Sequence, residues 1–257
     1  MSWHFFSRFT GASPKKSMLT REEEKDFETE VNKIEVLDEA TKRLYKDMRK
    51  CIEAMTSLSK HQCRVAHNLA ASPILNTEQE LKTLEGISAS ISKIDELTHE
   101  LNTSATRTMV EPMKKFSGIF PGIYVALKKR EQLLQEYGRC QGKLEKYQDK
   151  ERTGPNLVKL EASKKTLEAA KEEYEKVHQE LMEGMPNFFE ARIEYFQPCF
   201  EALIKSQVQY YTECFKIYVE IAAALEHKET VQSDEDFEEE LHAKLNDIRA
   251  LSIVVDD

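Results

Sequence analysis

The stretch "FETEVNKIEVLDEATKRLYKDMRKCIEAMTSLSKHQCRVAHNL", Phe27 to Leu69, repeats apolar side chains every seven residues. Phe27, Ile34, Met48, Met55 and Leu69 hold one core position of this heptad, and Leu37, Leu44, Cys51, Leu58 and Val65 hold the other. Two apolar positions in seven keep one seam of a helix turned toward a neighbour. Thr41 and Gln62 interrupt the pattern, and Ser72-Pro73 ends it. A helix of about 50 residues is about 75 Å long at 1.5 Å per residue, more than a compact globule of this chain length needs. The heptad therefore predicts an all-α protein built as a long antiparallel coiled coil.

Two further helices complete it. One begins near Asn76-Thr77, where either side chain can cap the first turn, and runs through "LKTLEGISASISKIDELTHEL". Pro112 and Pro121 lie inside it, each removing an amide donor and crowding the preceding turn, so bends are expected there. Ile123, Leu127, Leu134, Tyr137, Leu144 and Tyr147 mark its buried seam, and "RTGPN" ends it. Gly154 suits a left-handed helix terminus and Pro155 the opening of the next helix, which makes this a hairpin tip. The third helix follows Leu160, Leu167, Tyr174, Val177 and Leu181, passes Pro186, and bends again at Pro198.

Three helices of this length bury little per cross-section, and the third is unusually aromatic, so a partner chain is expected. A homodimer is the commonest solution. Phe27, Ile34, Leu37 and Leu44 from the first helix, with Phe189, Ile193, Phe196, Phe200, Tyr211 and Phe215 from the third, are the expected dimer contacts.

Charge is segregated along the chain. It has 37 Lys and Arg against 46 Asp and Glu, a formal net charge of −9, so nucleic acid is not a default partner. Yet residues 114–165 carry thirteen basic and six acidic side chains, while residues 226–257 carry three basic and eleven acidic. Arg139, Lys143, Lys146 and Lys150 recur at helical spacing away from the seam. A solvated face explains many such runs; an excess of positive charge in a negative chain favours an anionic partner. Each Lys or Arg at an anionic membrane contributes about 1 kcal/mol. No zinc-finger, helix-turn-helix or RNA-binding signature interleaves aromatics with these cations, which ranks lipid above nucleic acid.

The two ends carry their own signals. In "MSWHFFSRF", Trp3, Phe5, Phe6 and Phe9 share one side of a helical wheel, which fits either insertion into a membrane or packing on the bundle. The tail "SDEDFEEELHAKLNDIRAL" places Leu241, Leu245, Ile248 and Leu251 at helical spacing. It fits a short helix docked on the bundle, or an acidic segment that competes with lipid for the basic arm. These readings divide the chain into an amphipathic or flexible segment at 1–18, the coiled coil at 19–228 and an acidic tail at 229–257.

No glycine-rich phosphate loop, nucleophile elbow or paired metal-ligand spacing is present, so neither catalysis, a cofactor nor a metal is expected. Cys51, Cys63, Cys140, Cys199 and Cys214 are odd in number and scattered, which favours buried free thiols. The N-terminus lacks the apolar core of a signal peptide, and no run approaches a membrane span, which predicts a cytosolic chain.

The opening "MSW", "VEPMKKF" at Val110 to Phe116, "VALKKREQLLQEY" at Val125 to Tyr137, "KLEKYQDKERTGP" at Lys143 to Pro155, "EYFQPCFEALIKSQVQYY" at Glu194 to Tyr211 and the ending "AKLNDIRALSIVVDD" resemble, end to end, the BAR-domain family. The resemblance is to its bridging-integrator branch, related to the fungal Rvs and Hob proteins. It implies a crescent-shaped antiparallel homodimer of three-helix subunits whose concave face and arm tips meet anionic membrane lipids. It also implies roles in actin organisation, endocytosis and cytokinesis through Rho-type GTPases and actin regulators, at the membrane periphery and the cytoskeleton. Under it, Lys128, Lys129, Arg130, Arg139, Lys143, Lys146, Lys150, Arg152, Lys159, Lys164 and Lys165 are the expected membrane contacts. Gly11 and Pro14 break the initial segment, so scaffolding is expected to dominate over wedging by an N-terminal helix. A coiled-coil adaptor that organises actin regulators without touching lipid is the alternative.

Overall fold

The computed structural model describes residues 20–72, 78–225 and 233–251, and the segments around them, including Trp3, Phe5, Phe6 and Phe9, lie outside the described residues. All regular structure among the described residues is helical: α1 Arg21–Ala70, α2 Glu78–Ala105, a π-helical turn Thr106–Val110, α3 Glu111–Ser117, α4 Phe120–Gln148, α5 Gly154–Leu225 and α6 Asp234–Arg249.

α1 starts earlier than the heptad, at a reciprocal cap. Glu23 N donates to Thr20 Oγ1 at 3.2 Å, while Thr20 N donates to Glu23 Oε2 at 2.8 Å. The Thr20 amide, and then its hydroxyl at 2.9 Å, donate to the Glu23 carboxyl and hold it below its ordinary pKa. The T-x-x-E spacing at Thr20 was the available signal for this start.

The second stretch is interrupted where its prolines fall, for a local reason. Pro112 has no amide, and its ring crowds the carbonyl four residues back. The helix answers by widening: Glu111 N bonds Thr106 O, one residue further than an α-turn allows. Before Pro121 the chain tightens instead, with Gly118 N bonded to Lys115 O at 3.1 Å and Ile119 N to Phe116 O at 3.1 Å. In α5, by contrast, Pro186 and Pro198 sit inside 72 uninterrupted helical residues. Its contour is about 108 Å at 1.5 Å per residue.

The described residues form two compact units, those up to 58 with 98–210 and those of 59–97 with those from 211 on. In the first, α1, α3, α4 and α5 enclose a core of Phe27, Val31, Ile34, Phe116, Phe120, Leu127, Val177, Leu181 and Met185. Phe116 sits at its centre, stacked on Phe188 at 4.9 Å and tilted against Phe196 at 4.8 Å. Asn102 Nδ2 donates to Thr56 Oγ1 at 2.9 Å, and Ser104 and Ser206 hydroxyls meet at 2.8 Å, so polar pairs punctuate the apolar layers. In the second unit, Ser59 donates to Asp95 at 2.6 Å between α1 and α2. Ala66, Ile94 and Cys214 are buried in that unit.

One expectation changes here. The buried face of α1 follows Phe27, Val31, Ile34, Asp38 and Thr41, resuming at Ser59 and Ala66. That is one heptad stripe plus the residues four after it. The second predicted stripe touches the core only at Leu37 and faces outward from Leu44 on, with Leu58 60% and Val65 59% exposed.

Candidate functional site

α4 and α5 run antiparallel. Arg130 meets Tyr174 at 2.8 Å and Lys129 meets Glu173 at 3.6 Å, a register that closes at the 149–153 turn. α1 begins at the level of Arg130, through its Glu24. From there to the tip the arm is a two-helix hairpin among the described residues, so α4 and α5 each expose a wide face. Leu134, Tyr137, Leu144 and Tyr147 fill the seam on α4, and Leu160 and Leu167 fill it on α5, all half-buried.

The tip differs in detail from the turn the sequence suggested. α4 ends at Gln148 with Asp149 as its right-handed cap, so Lys150 lies past the helix and its ammonium sits 5.1 Å from the Tyr147 ring centroid. Gly154 is the first residue of α5 and has no positive φ. Thr153 O accepts from Leu157 N at 3.0 Å, and Asn156 Nδ2 donates to Glu151 O at 2.8 Å. The turn is therefore made by backbone and Asn156 rather than by a left-handed glycine.

Ten of the eleven predicted membrane contacts are exposed, Lys128 and Lys129 at the base of this arm and Arg139, Lys143, Lys146, Lys150, Arg152, Lys159, Lys164 and Lys165 along it. Some are engaged with carboxylates, Arg139 with Glu136 at 3.3 Å and Lys164 with Glu161 at 2.7 Å. Such exposed pairs are worth about 1 kcal/mol or less and leave the cation facing solvent.

Arg130 is the exception and corrects the sequence reading. Only 4% exposed, it donates to Glu24 Oε2 at 2.9 Å, to Tyr174 Oη at 2.8 Å and to His178 Nδ1 at 3.2 Å, with its guanidinium 3.7 Å from the Phe27 ring centroid. A cation so enclosed joins α1, α4 and α5 and is closed to a membrane. Sequence reasoning counted it with its neighbours Lys128 and Lys129 because three consecutive bases read as one patch; a helical turn separates them onto different faces.

The predicted dimer residues divide similarly. Phe27 and Ile34 are 2% and 0% exposed within their own subunit, so they serve its core rather than a partner. Phe189 is half-buried and covered by the Arg192 guanidinium, 3.5 Å from its centroid. Leu37, Leu44, Ile193, Phe196 and Phe200, by contrast, come together with Ile204 in an open apolar groove of about 520 Å³ between α1 and α5. In the second unit Tyr211 and Phe215 are 62% and 69% exposed, continuing the outward spacing of α5.

α6 also departs from expectation. Ser233 caps it, accepting from Asp236 N at 3.1 Å. Its apolar face does not dock: Phe237, Leu241, Leu245 and Ile248 are all exposed. The cysteines form no disulfide, and only Cys140 and Cys214 are buried, while Cys51 is exposed. Among the described residues no cluster of metal-ligating side chains occurs, and no helix is long and apolar enough to cross a membrane.

Comparison with known proteins places this geometry. Residues 13–227 match the family model described as BAR domain. The chain is 40% identical over 258 residues to bridging integrator 3 of Mus musculus, covering 100% of both. It is 26% identical over 262 residues to the regulator of cytoskeleton and endocytosis RVS161 of Candida albicans, covering 97% of this chain and 96% of that one. Among solved structures it resembles the amphiphysin BAR domain from Drosophila, with a TM-score of 0.68 and 19% identity over 84% of this chain and 97% of that one.

Proposed function

Because the chain belongs to the BAR-domain family, we propose that it works as a homodimeric membrane-curvature scaffold that holds anionic bilayer on its cationic arms. In this role it joins membrane to actin organisation, endocytosis and cytokinesis, with Rho-type GTPases and actin regulators as protein partners. The name of the Candida relative supports the cytoskeletal and endocytic part. Residues 19–228 form the scaffold and 229–257 an acidic tail, at the cytoplasmic membrane periphery and the cytoskeleton.

One observation carries the lipid reading: ten exposed cations lie on the two-helix arm and at its base, in a chain whose net charge is −9. At about 1 kcal/mol per cation near an anionic surface, even half of them engaged on each arm of a dimer supports micromolar or tighter binding. Helix-borne cations on both strands of a hairpin present a surface rather than a pocket, so the partner is an extended anionic face. The groove of Leu37, Leu44, Ile193 and Phe200 is the surface a second copy would cover.

Co-sedimentation with phosphatidylserine vesicles across a salt series tests this. The scaffold reading expects pelleting that weakens with salt and is lost in Lys146→Glu/Lys150→Glu. A second reading, a protein adaptor without lipid contact, is favoured by the bare apolar face of α6. Pelleting no better with phosphatidylserine than with phosphatidylcholine would establish that alternative.

A further inference from the structure

Directly after the charged 149–153 turn, the first turn of α5 is uncharged. Thr153-Gly154-Pro155-Asn156-Leu157-Val158 carries no charge across six residues, between Arg152 and Lys159. Leu157 is 44% and Val158 71% exposed. Neither belongs to the seam, which passes instead through half-buried Leu144, Tyr147 and Leu160. The hairpin therefore has no packing need for aliphatic side chains at these positions. They are nevertheless held in place, because Leu157 N is bonded to Thr153 O and the turn before it is tied by Asn156.

The surroundings of this apolar pair identify its counterpart. The antiparallel register puts Val158 level with Lys146, and Lys150, Arg152 and Lys159 flank the same turn. Asp149 and Glu151 share this turn, but the four cations outnumber them, and an apolar spot with a cationic surplus around it is complementary to a surface that is anionic outside and hydrocarbon just beneath. An acidic protein surface would satisfy the cations alone and leave the aliphatics in contact with charge.

We infer that Leu157 and Val158 form a wedge at the arm tip that enters the acyl boundary of an anionic bilayer, anchoring the tip where the neighbouring cations dock it. The inference rests on the membrane reading above and adds a salt-resistant component to it. Shallow burial of two aliphatic side chains corresponds to about a tenfold gain in partitioning.

The chain has a single tryptophan, Trp3, so Trp3→Phe/Val158→Trp places one indole at the tip. With phosphatidylserine vesicles carrying brominated acyl chains, the expected result is a blue shift and strong quenching on binding. In parallel, Leu157→Ser/Val158→Ser in the full chain is expected to pellet like the parent at low salt and about tenfold less at high salt. Salt-sensitive pelleting of the parent with no quenching, or with the serine variant matching it at every salt, overturns the wedge and leaves the scaffold standing. Absence of any preference of the parent for anionic vesicles overturns the scaffold reading and the wedge with it. Quenching confined to vesicles with brominated headgroup-proximal probes, and absent from acyl-chain bromine, also overturns insertion.

Discussion

Arg130 Nε donates to His178 Nδ1 across 3.2 Å, and this contact joins a cation from the basic segment of α4 to a ring on α5 that is stacked on Tyr174. The same guanidinium reaches Glu24 on α1. Three long helices are thereby fixed at one level, just where the three-helix bundle gives way to the two-helix arm. A bidentate fork on a planar, always charged group suits this better than lysine, whose ammonium cannot serve Glu24, Tyr174 and His178 from fixed directions.

Replacing that fork should unfasten α1. Arg130→Met removes a buried guanidinium from its bonds to half-buried Glu24, to Tyr174 and to His178 and is expected to cost about 2 kcal/mol, measurable by urea unfolding. Lysine at 130 should recover only part of the loss. Vesicle binding of folded Arg130→Met at low temperature should match the parent, because the side chain is closed to solvent; a loss equal to that of Lys146→Glu/Lys150→Glu would return Arg130 to the membrane face.

The same contact makes stability depend on pH. Burial, then the adjacent Arg130 charge, lowers the His178 pKa below its ordinary 6.5, while Glu24 and Glu23 from α1 oppose the shift. Tyr174, pushed up to about 12 chiefly by burial, stays neutral throughout. A histidine whose folded pKa is depressed binds fewer protons folded than unfolded, so its contribution is complete above the unfolded value and is lost as pH falls from there through the folded one. The urea midpoint should therefore drop between about pH 7.5 and about pH 5.5 more steeply in the parent than in His178→Asn, which keeps an acceptor near Nδ1 but cannot titrate.

The heptad that opened the sequence reading made the long first helix legible, and the structure returns it over 50 residues. Periodicity did not reveal which neighbour each stripe serves. Phe27 and Ile34 read like Leu37 and Leu44, yet the first pair lies in the subunit core and the second lines an open groove. A stripe three positions wide can face two neighbours, and only packing assigns them. Arg130 was misplaced for a related reason, since charge counting along the chain ignores the 100° between successive residues. Asn102 and Thr56 escaped notice because a polar pair spanning α1 and α2 leaves no mark in either helix alone.

The groove provides a direct test of self-association. Leu44→Glu/Phe200→Glu puts two carboxylates into an apolar channel that a second copy would desolvate, and loss of central hot-spot contacts typically exceeds 2 kcal/mol, about thirtyfold in affinity. Sedimentation equilibrium should show a dimer for the parent and a monomer for the variant, with helicity by circular dichroism retained. A Phe27→Ala variant should do the reverse, losing stability through the core without a specific loss of association beyond that expected from unfolding.

Deletion of residues 229–257 separates packing from electrostatics in the acidic tail. Because Phe237, Leu241, Leu245 and Ile248 remain exposed and α6 has no buried residue, the truncated protein should unfold within about 0.5 kcal/mol of the parent. If the tail screens the arm, deletion removes ten acidic and two basic residues and should raise affinity for phosphatidylserine vesicles at low salt, with the difference vanishing at high salt. Equal affinity at low salt would exclude competition between tail and lipid. A large loss of stability would show instead that the α6 apolar face docks in solution, and the exposed stripe would then have to be reassigned to the bundle.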